Sequence, residues 1–167
     1  VQTCALPIYR LMDSASPEAI AQAAKQFGGK SVAFTYNDPV VFFEYALDAA
    51  DACHALGIQT VAVTAGYIHD EPRREFYAKM DAANIDLKGF TEDFYVKLTG
   101  SHLKSILETL VYVHHETNCW LEITTLLIPG LNDSSGELTA MCRWVRDALR
   151  NNVPADQFAR TLLTANG

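Results

Sequence analysis

At 167 residues, 49% of them apolar and 20% charged, the chain has the make-up of a globular domain with its own core. A net charge of -7 argues against a nucleic-acid groove and against attraction to an anionic membrane surface. No apolar run approaches the roughly 20 residues that span a bilayer, and no basic stretch leads into an apolar one as in a secretory signal.

In chain order, Val1–Ile8 (VQTCALPI) fits neither a helical nor a strand period and matches the translation of a common sequencing-library adapter. Val1–Arg10 is therefore expected to be a non-native scar. The folded part is expected over Leu11–Arg160, with an irregular end at Thr161–Gly167. Ser16 and Pro17 form a helix start, followed by Ile20, Ala23, Ala24 and Phe27 at helical spacing and closed by Gly28 and Gly29. Ser31–Tyr36 reads as a strand. Asp38 and Pro39 open a second helix that runs to Gly57, and Ile58–Val63 is the next strand. Asp70 to Pro72 starts a third helix carrying Phe76, Met80 and Ala83, and Asn84–Leu87 is a third strand. A short helix from Thr91 precedes a longer one with Leu103, Ile106, Leu107, Leu110 and Val113. Cys119–Ile128 is a fourth strand, and Asp133 or Ser134 caps a last helix with Leu138, Met141, Val145 and Leu149 on one face.

Short apolar strands alternating with helices predict parallel pairing through helical crossovers. A whole (β/α)8 barrel takes about 250 residues. The expected fold is therefore α/β, a partial TIM-type (β/α) barrel of about four parallel βα units. No GxGxxG or GxxxxGK[ST] follows the first strand, which sets aside the common nucleotide-binding open sheets. The four cysteines, Cys4, Cys53, Cys119 and Cys142, show no short-range pairing, so no metal site is assigned to them. Read as free thiols, they point to a reducing, cytoplasmic compartment.

Chemistry in parallel βα folds gathers at the C-terminal ends of the strands. Those ends supply Tyr36, Asn37 and Asp38; Thr64 and Gly66; Asp86 and Lys88; and Glu122 and Thr124. Several have plain structural roles open to them: Asp38 as a helix cap, Gly66 as a turn residue, Lys88 as a surface lysine, and Asn132 with Asp133 as a turn. Asp86 and Glu122 are harder to explain that way. Each is a carboxylate inside an apolar strand, where burial costs several kcal/mol unless the charge is paired. Asp86 and Glu122 are expected to face the barrel interior, and Lys88, two positions on from Asp86, points the same way. No residue is assigned as catalytic.

Five segments carry a family resemblance: Phe34–Pro39 (FTYNDP), Phe42–Tyr45 (FFEY), Val63–Ile68 (VTAGYI), Ala83–Lys88 (ANIDLK) with Phe90, and Thr124–Asp133 (TTLLIPGLND). In order and spacing they resemble the radical S-adenosylmethionine (SAM) enzyme of the AmmeMemoRadiSam system, a group similar to the activating enzymes of pyruvate formate-lyase. The likeness runs from about Leu11 to Val153. It implies a partial (β/α)6 barrel holding a [4Fe-4S] cluster on a CxxxCxxC loop. SAM bound to that cluster would be cleaved reductively to a 5′-deoxyadenosyl radical that abstracts hydrogen. The implied partners are SAM, an electron donor for the cluster and a protein substrate.

Residue by residue, Tyr36, Asn37 and Asp38 stand where the family binds the SAM amino group. Thr64 and Gly66 stand beside SAM, where Ala65 replaces a polar residue. Lys88 stands where a lysine meets the SAM carboxylate, Asp86 stands where it would help hold a cation or orient Lys88, and Glu122 and Thr124 line the same mouth. The CxxxCxxC loop is not found in this sequence, and Ala159–Leu163 stands where the family has a Phe-His-Pro segment. On this reading the chain is an inner fragment and inactive alone. Two alternatives are open to the same residues: a Schiff-base lyase with Lys88 as its amine, and an inert scaffold fragment.

Overall fold

The computed structural model describes residues 15–149. The expected scar over 1–10, the expected irregular end over 161–167 and the outermost residues of the expected fold lie outside that range. Helix α1 (Pro17–Gln26) begins where expected, with the Ser16 hydroxyl accepting from Ala19 N–H at 3.3 Å. Its core residue is Ala21, whereas Phe27, read as part of the apolar face, is 89% exposed just past the helix end.

Strand β1 (Ser31–Phe34) stops two residues earlier than the sequence suggests. Tyr36 takes φ 70°, a left-handed conformation that cannot continue a strand. A single turn over Pro39–Phe42 leads into α2 (Phe43–Ala55). After it come β2 (Gln59–Thr64), α3 (Asp70–Ala78) and β3 (Ala82–Asp86). Helix α4 (Glu92–Phe94) runs straight into a wider turn over Tyr95–Thr99, ended by Gly100 at φ 68°. Helix α5 (Leu103–Glu116), β4 (Trp120–Thr124) and α6 (Ser135–Ala148) complete the described residues. The apolar run after Thr124 leaves the sheet, so β4 is half the length its composition suggests.

All four strands are parallel and lie side by side in the order β1-β2-β3-β4. Alternate residues divide the sheet. Ala62, Ala83, Ile85 and Leu87 are buried in one cluster with Ala46 and Ala50 of α2, Phe76 and Tyr77 of α3, Ile106 and Leu110 of α5, and Met141 and Val145 of α6. The opposite face carries Asn84, Asp86, Trp120, Glu122 and Thr124, all half-buried or exposed. Among the described residues the helices thus cover one face and leave the other open, the geometry of a barrel wall. No helix among the described residues is long and apolar enough to cross a membrane.

Candidate functional site

Because the strands are parallel and in chain order, their C-terminal ends lie along one rim. The expected site residues divide there into three groups. The first is a strut between β1 and β2. Asp38 caps the turn after β1, accepting from Val40 N–H at 3.1 Å. The same carboxylate accepts from the Thr64 hydroxyl at 2.9 and 3.0 Å and from Ala65 N–H at 2.8 Å. Thr64 Oγ1 in turn accepts from Gly66 N–H at 3.0 Å. Gly66 sits at φ 68°, and a Cβ there would lie 2.7 Å from Ile85 Cγ2, so glycine is required on both counts. Asp38, Thr64 and Gly66 therefore hold the rim together. Tyr36 and Asn37 stand beside them, exposed; the Tyr36 side chain is fully exposed, on backbone that glycine adopts more readily.

The second group is the Asp86–Lys88 ion pair. It lines a cavity of about 290 Å³ beyond the end of β3, with Ala65, Tyr67, Tyr95, Thr99, Ser101 and Ile106 as the other walls. The Lys88 ammonium and Asp86 carboxylate are both partly exposed there, and the Thr99 and Ser101 hydroxyls, also in the lining, bond each other at 2.6 Å. A carboxylate, an ammonium and hydroxyls around a small cavity suit a zwitterionic ligand. The α-carboxylate of SAM fits the Lys88 ammonium of that set.

The third group lies one step down the open face, around Asn84. Its amide donates to Glu122 Oε2 at 3.3 Å and accepts from the Thr124 hydroxyl at 3.0 Å. Glu122 and Thr124 are thus joined to each other through Asn84 and do not line the Asp86–Lys88 cavity.

Residues that sequence reasoning passed over shape the second group. Tyr95, buried at the start of the wide turn, accepts from Lys88 N–H at 3.0 Å. Burial pushes its phenol above the ordinary tyrosine value, against the hydrogen bonds it accepts from Lys88 and Gly89 N–H. Asn132, a turn residue by its sequence, is 0% exposed and donates to Lys88 C=O at 2.6 Å. Glu137 in the first turn of α6 accepts from Phe90 N–H at 2.6 Å. Neither Tyr95 nor Glu137 stands out in the sequence. Only the tertiary fold reveals their partners.

A larger depression, about 650 Å³, lies on the outer helical layer among Arg73, Arg74, Leu107, Tyr112 and Trp144. It stands away from the strand ends, and its arginines are engaged with Asp70 and the Tyr112 ring.

The iron–sulfur cluster that the resemblance implies finds no ligand set among the described residues. Cys53 and Cys119 are buried and Cys142 is exposed, and no group of three His, Cys, Asp or Glu residues there could hold a metal ion. Desolvation pushes the Cys53 thiol up and the Cys119 thiol up to about 12, so neither supplies a thiolate ligand readily.

Comparison with known proteins agrees with this architecture. Residues 3–142 match the family model described as the radical SAM superfamily. An uncharacterized protein of Methanocaldococcus jannaschii is 33% identical over 139 residues, which is 83% of this chain and 40% of that protein. The 4-hydroxyphenylacetate decarboxylase activating enzyme of Clostridioides difficile is 25% identical over 109 residues, 65% of this chain and 34% of the enzyme. The chain thus spans well under half the length of these relatives. Among solved structures, a domain of a pyruvate-formate lyase-activating enzyme from Bacteroides vulgatus superposes with a TM-score of 0.66 at 18% identity, covering 82% of this chain and 94% of that domain. That likeness concerns the fold.

Proposed function

We propose, from the premise that the chain belongs to the radical SAM superfamily, that it forms the SAM-holding wall of an activating-enzyme-like radical SAM enzyme. The observation that carries this reading is the Asp86–Lys88 pair at a 290 Å³ cavity on the C-terminal rim of a parallel sheet. In this reading Lys88 binds the SAM carboxylate, and Asp86 orients the lysine and balances its charge before the ligand arrives. Tyr36 and Asn37, exposed beside the rim, take the amino end. Asp38, Thr64 and Gly66 keep the adjoining loops in place, and Glu122 and Thr124 line the open face next to the reacting end. Bound here beside a reduced [4Fe-4S] cluster, SAM would supply radical chemistry for hydrogen abstraction from the substrate. The cluster ligands are then expected in a CxxxCxxC loop of a longer protein, outside the 167 residues.

The order of the five sequence segments favours the AmmeMemoRadiSam group within the superfamily. One relative is named for activating a decarboxylase, and by that likeness we take a protein as substrate, with a cytoplasmic electron donor reducing the cluster. A Schiff-base role for Lys88 is disfavoured, because its amine is engaged by the Asp86 carboxylate, which keeps it charged rather than nucleophilic.

The test is Lys88→Ala in the intact, cluster-loaded protein, with SAM affinity read by calorimetry. Loss of one charge-assisted contact is expected to weaken binding by about ten- to a hundredfold. Iron content and the cluster's visible absorbance should stay unchanged, since the lysine is not a ligand. Unchanged SAM affinity would remove the basis of the site.

A further inference from the structure

We infer that Asn132 and Tyr95 are positioning residues that aim the Lys88 side chain by gripping its peptide from both sides; this rests on the reading that Lys88 binds SAM. Lys88 lies beyond the end of β3, where no strand partner fixes it. A lysine side chain has four rotatable bonds, so its reach is defined only if its backbone is fixed.

The backbone around Lys88 is fixed by other parts of the chain. Leu87 N–H donates to Thr124 C=O at 2.9 Å, and the Thr125 hydroxyl donates to Leu87 C=O at 2.8 Å. Lys88 N–H goes to the Tyr95 hydroxyl and Lys88 C=O takes the Asn132 amide. Phe90 N–H ends on Glu137. Gly89 leaves no slack, since a Cβ there would lie 2.7 Å from the Phe94 ring. Of these groups, Asn132 is the connecting one. Its amide also donates to Leu126 C=O at 2.9 Å and accepts from Ile128 N–H at 2.6 Å. One buried side chain therefore ties the β4–α6 loop to the peptide that carries Lys88. The shape of that loop and the aim of the ammonium cannot change independently.

The chemistry of the amide makes this specific. Asn132 offers two donors to two carbonyls and one acceptor to one N–H. The isosteric Asn132→Asp places an acceptor against both carbonyls and releases Lys88 C=O. Tyr95→Phe removes the phenol oxygen that accepts from Lys88 N–H and keeps the ring in the core, so it is the gentler variant.

The experiment is a double-mutant cycle in the intact, cluster-loaded protein, reading SAM affinity by calorimetry and folding by thermal melt. Asn132→Asp is expected to weaken SAM binding about tenfold or more and Tyr95→Phe about threefold or more, in line with loss of a hydrogen bond near a charged contact. Neither should weaken binding further once Lys88→Ala is present, because both act through the lysine. A merely structural role lowers the melting temperature and leaves SAM affinity alone, and that result overturns the inference. So does a loss of affinity that persists at full size in the Lys88→Ala background. Where Asn132→Asp does not fold, Tyr95→Phe decides by the same two readings. If Lys88→Ala itself leaves SAM affinity unchanged, the site reading fails. If Lys88→Ala weakens binding while the folded positioning variants bind normally, this inference fails alone.

Discussion

Replacing Asp38 by alanine should destabilise the fold by about 3–4 kcal/mol. As a cap on the turn after β1, Asp38 serves Val40 N–H, and loss of such a cap costs about 1 kcal/mol. Ala65 N–H, 2.8 Å from the carboxylate, loses its acceptor at a half-buried position, for about 1–2 kcal/mol more. The Thr64 hydroxyl, 3% exposed, loses its partner as well and adds about 1 kcal/mol. For a chain of this size that sum corresponds to a drop of roughly 6–16 °C in melting temperature. Asp38→Asn keeps one acceptor oxygen and should cost about half as much. Urea unfolding followed by the fluorescence of Trp120 and Trp144 measures both. A double-mutant cycle with Thr64→Val should show a coupling of about 1 kcal/mol, since the two side chains share a bond. Asp38→Ala within about 0.5 kcal/mol of the parent, or strict additivity with Thr64→Val, would refute the strut.

Two further outcomes are expected. Burial pushes the Asp81 carboxyl up, but hydrogen bonds from Thr60 N–H, His54 and the Thr60 hydroxyl together outweigh it and hold its pKa below the ordinary aspartate value. A folded-state pKa below the unfolded one means stability that is full above the unfolded pKa of about 4 and lost as pH falls through the folded value; urea midpoints measured below about pH 5 should fall less steeply in Asp81→Asn than in the parent. In the native protein at pH 8, iodoacetamide should alkylate Cys142 and spare Cys53 and Cys119, whose burial and raised thiol pKa values withhold the thiolate; peptide mapping that finds Cys119 labelled as fast as Cys142 would contradict the packing of the β4 entrance.

The sequence by itself determined the order of elements, the parallel sheet and the rim where polar residues collect. Those features follow from local causes: the Ser16-Pro17 and Ser134 caps, apolar runs of strand length, and helical spacing between them. It also pointed to Asp86 and Lys88, because a charge inside an apolar strand needs a partner and an alternation of two puts both on one face. Strand ends were less legible. The Tyr36 backbone leaves the β region, and the apolar run after Thr124 departs from the sheet, although neither change alters the composition. The grouping of the site residues was decided by tertiary structure alone. Asp38 and Thr64 are 26 residues apart and meet because β1 and β2 are neighbours. Asn132 and Lys88 are 44 residues apart and meet because the β4–α6 loop folds back over the end of β3. An asparagine before an aspartate reads as a turn in any sequence; burial with all three amide bonds made gives this one a different role, and burial is set by what packs around a residue rather than by its neighbours in the chain.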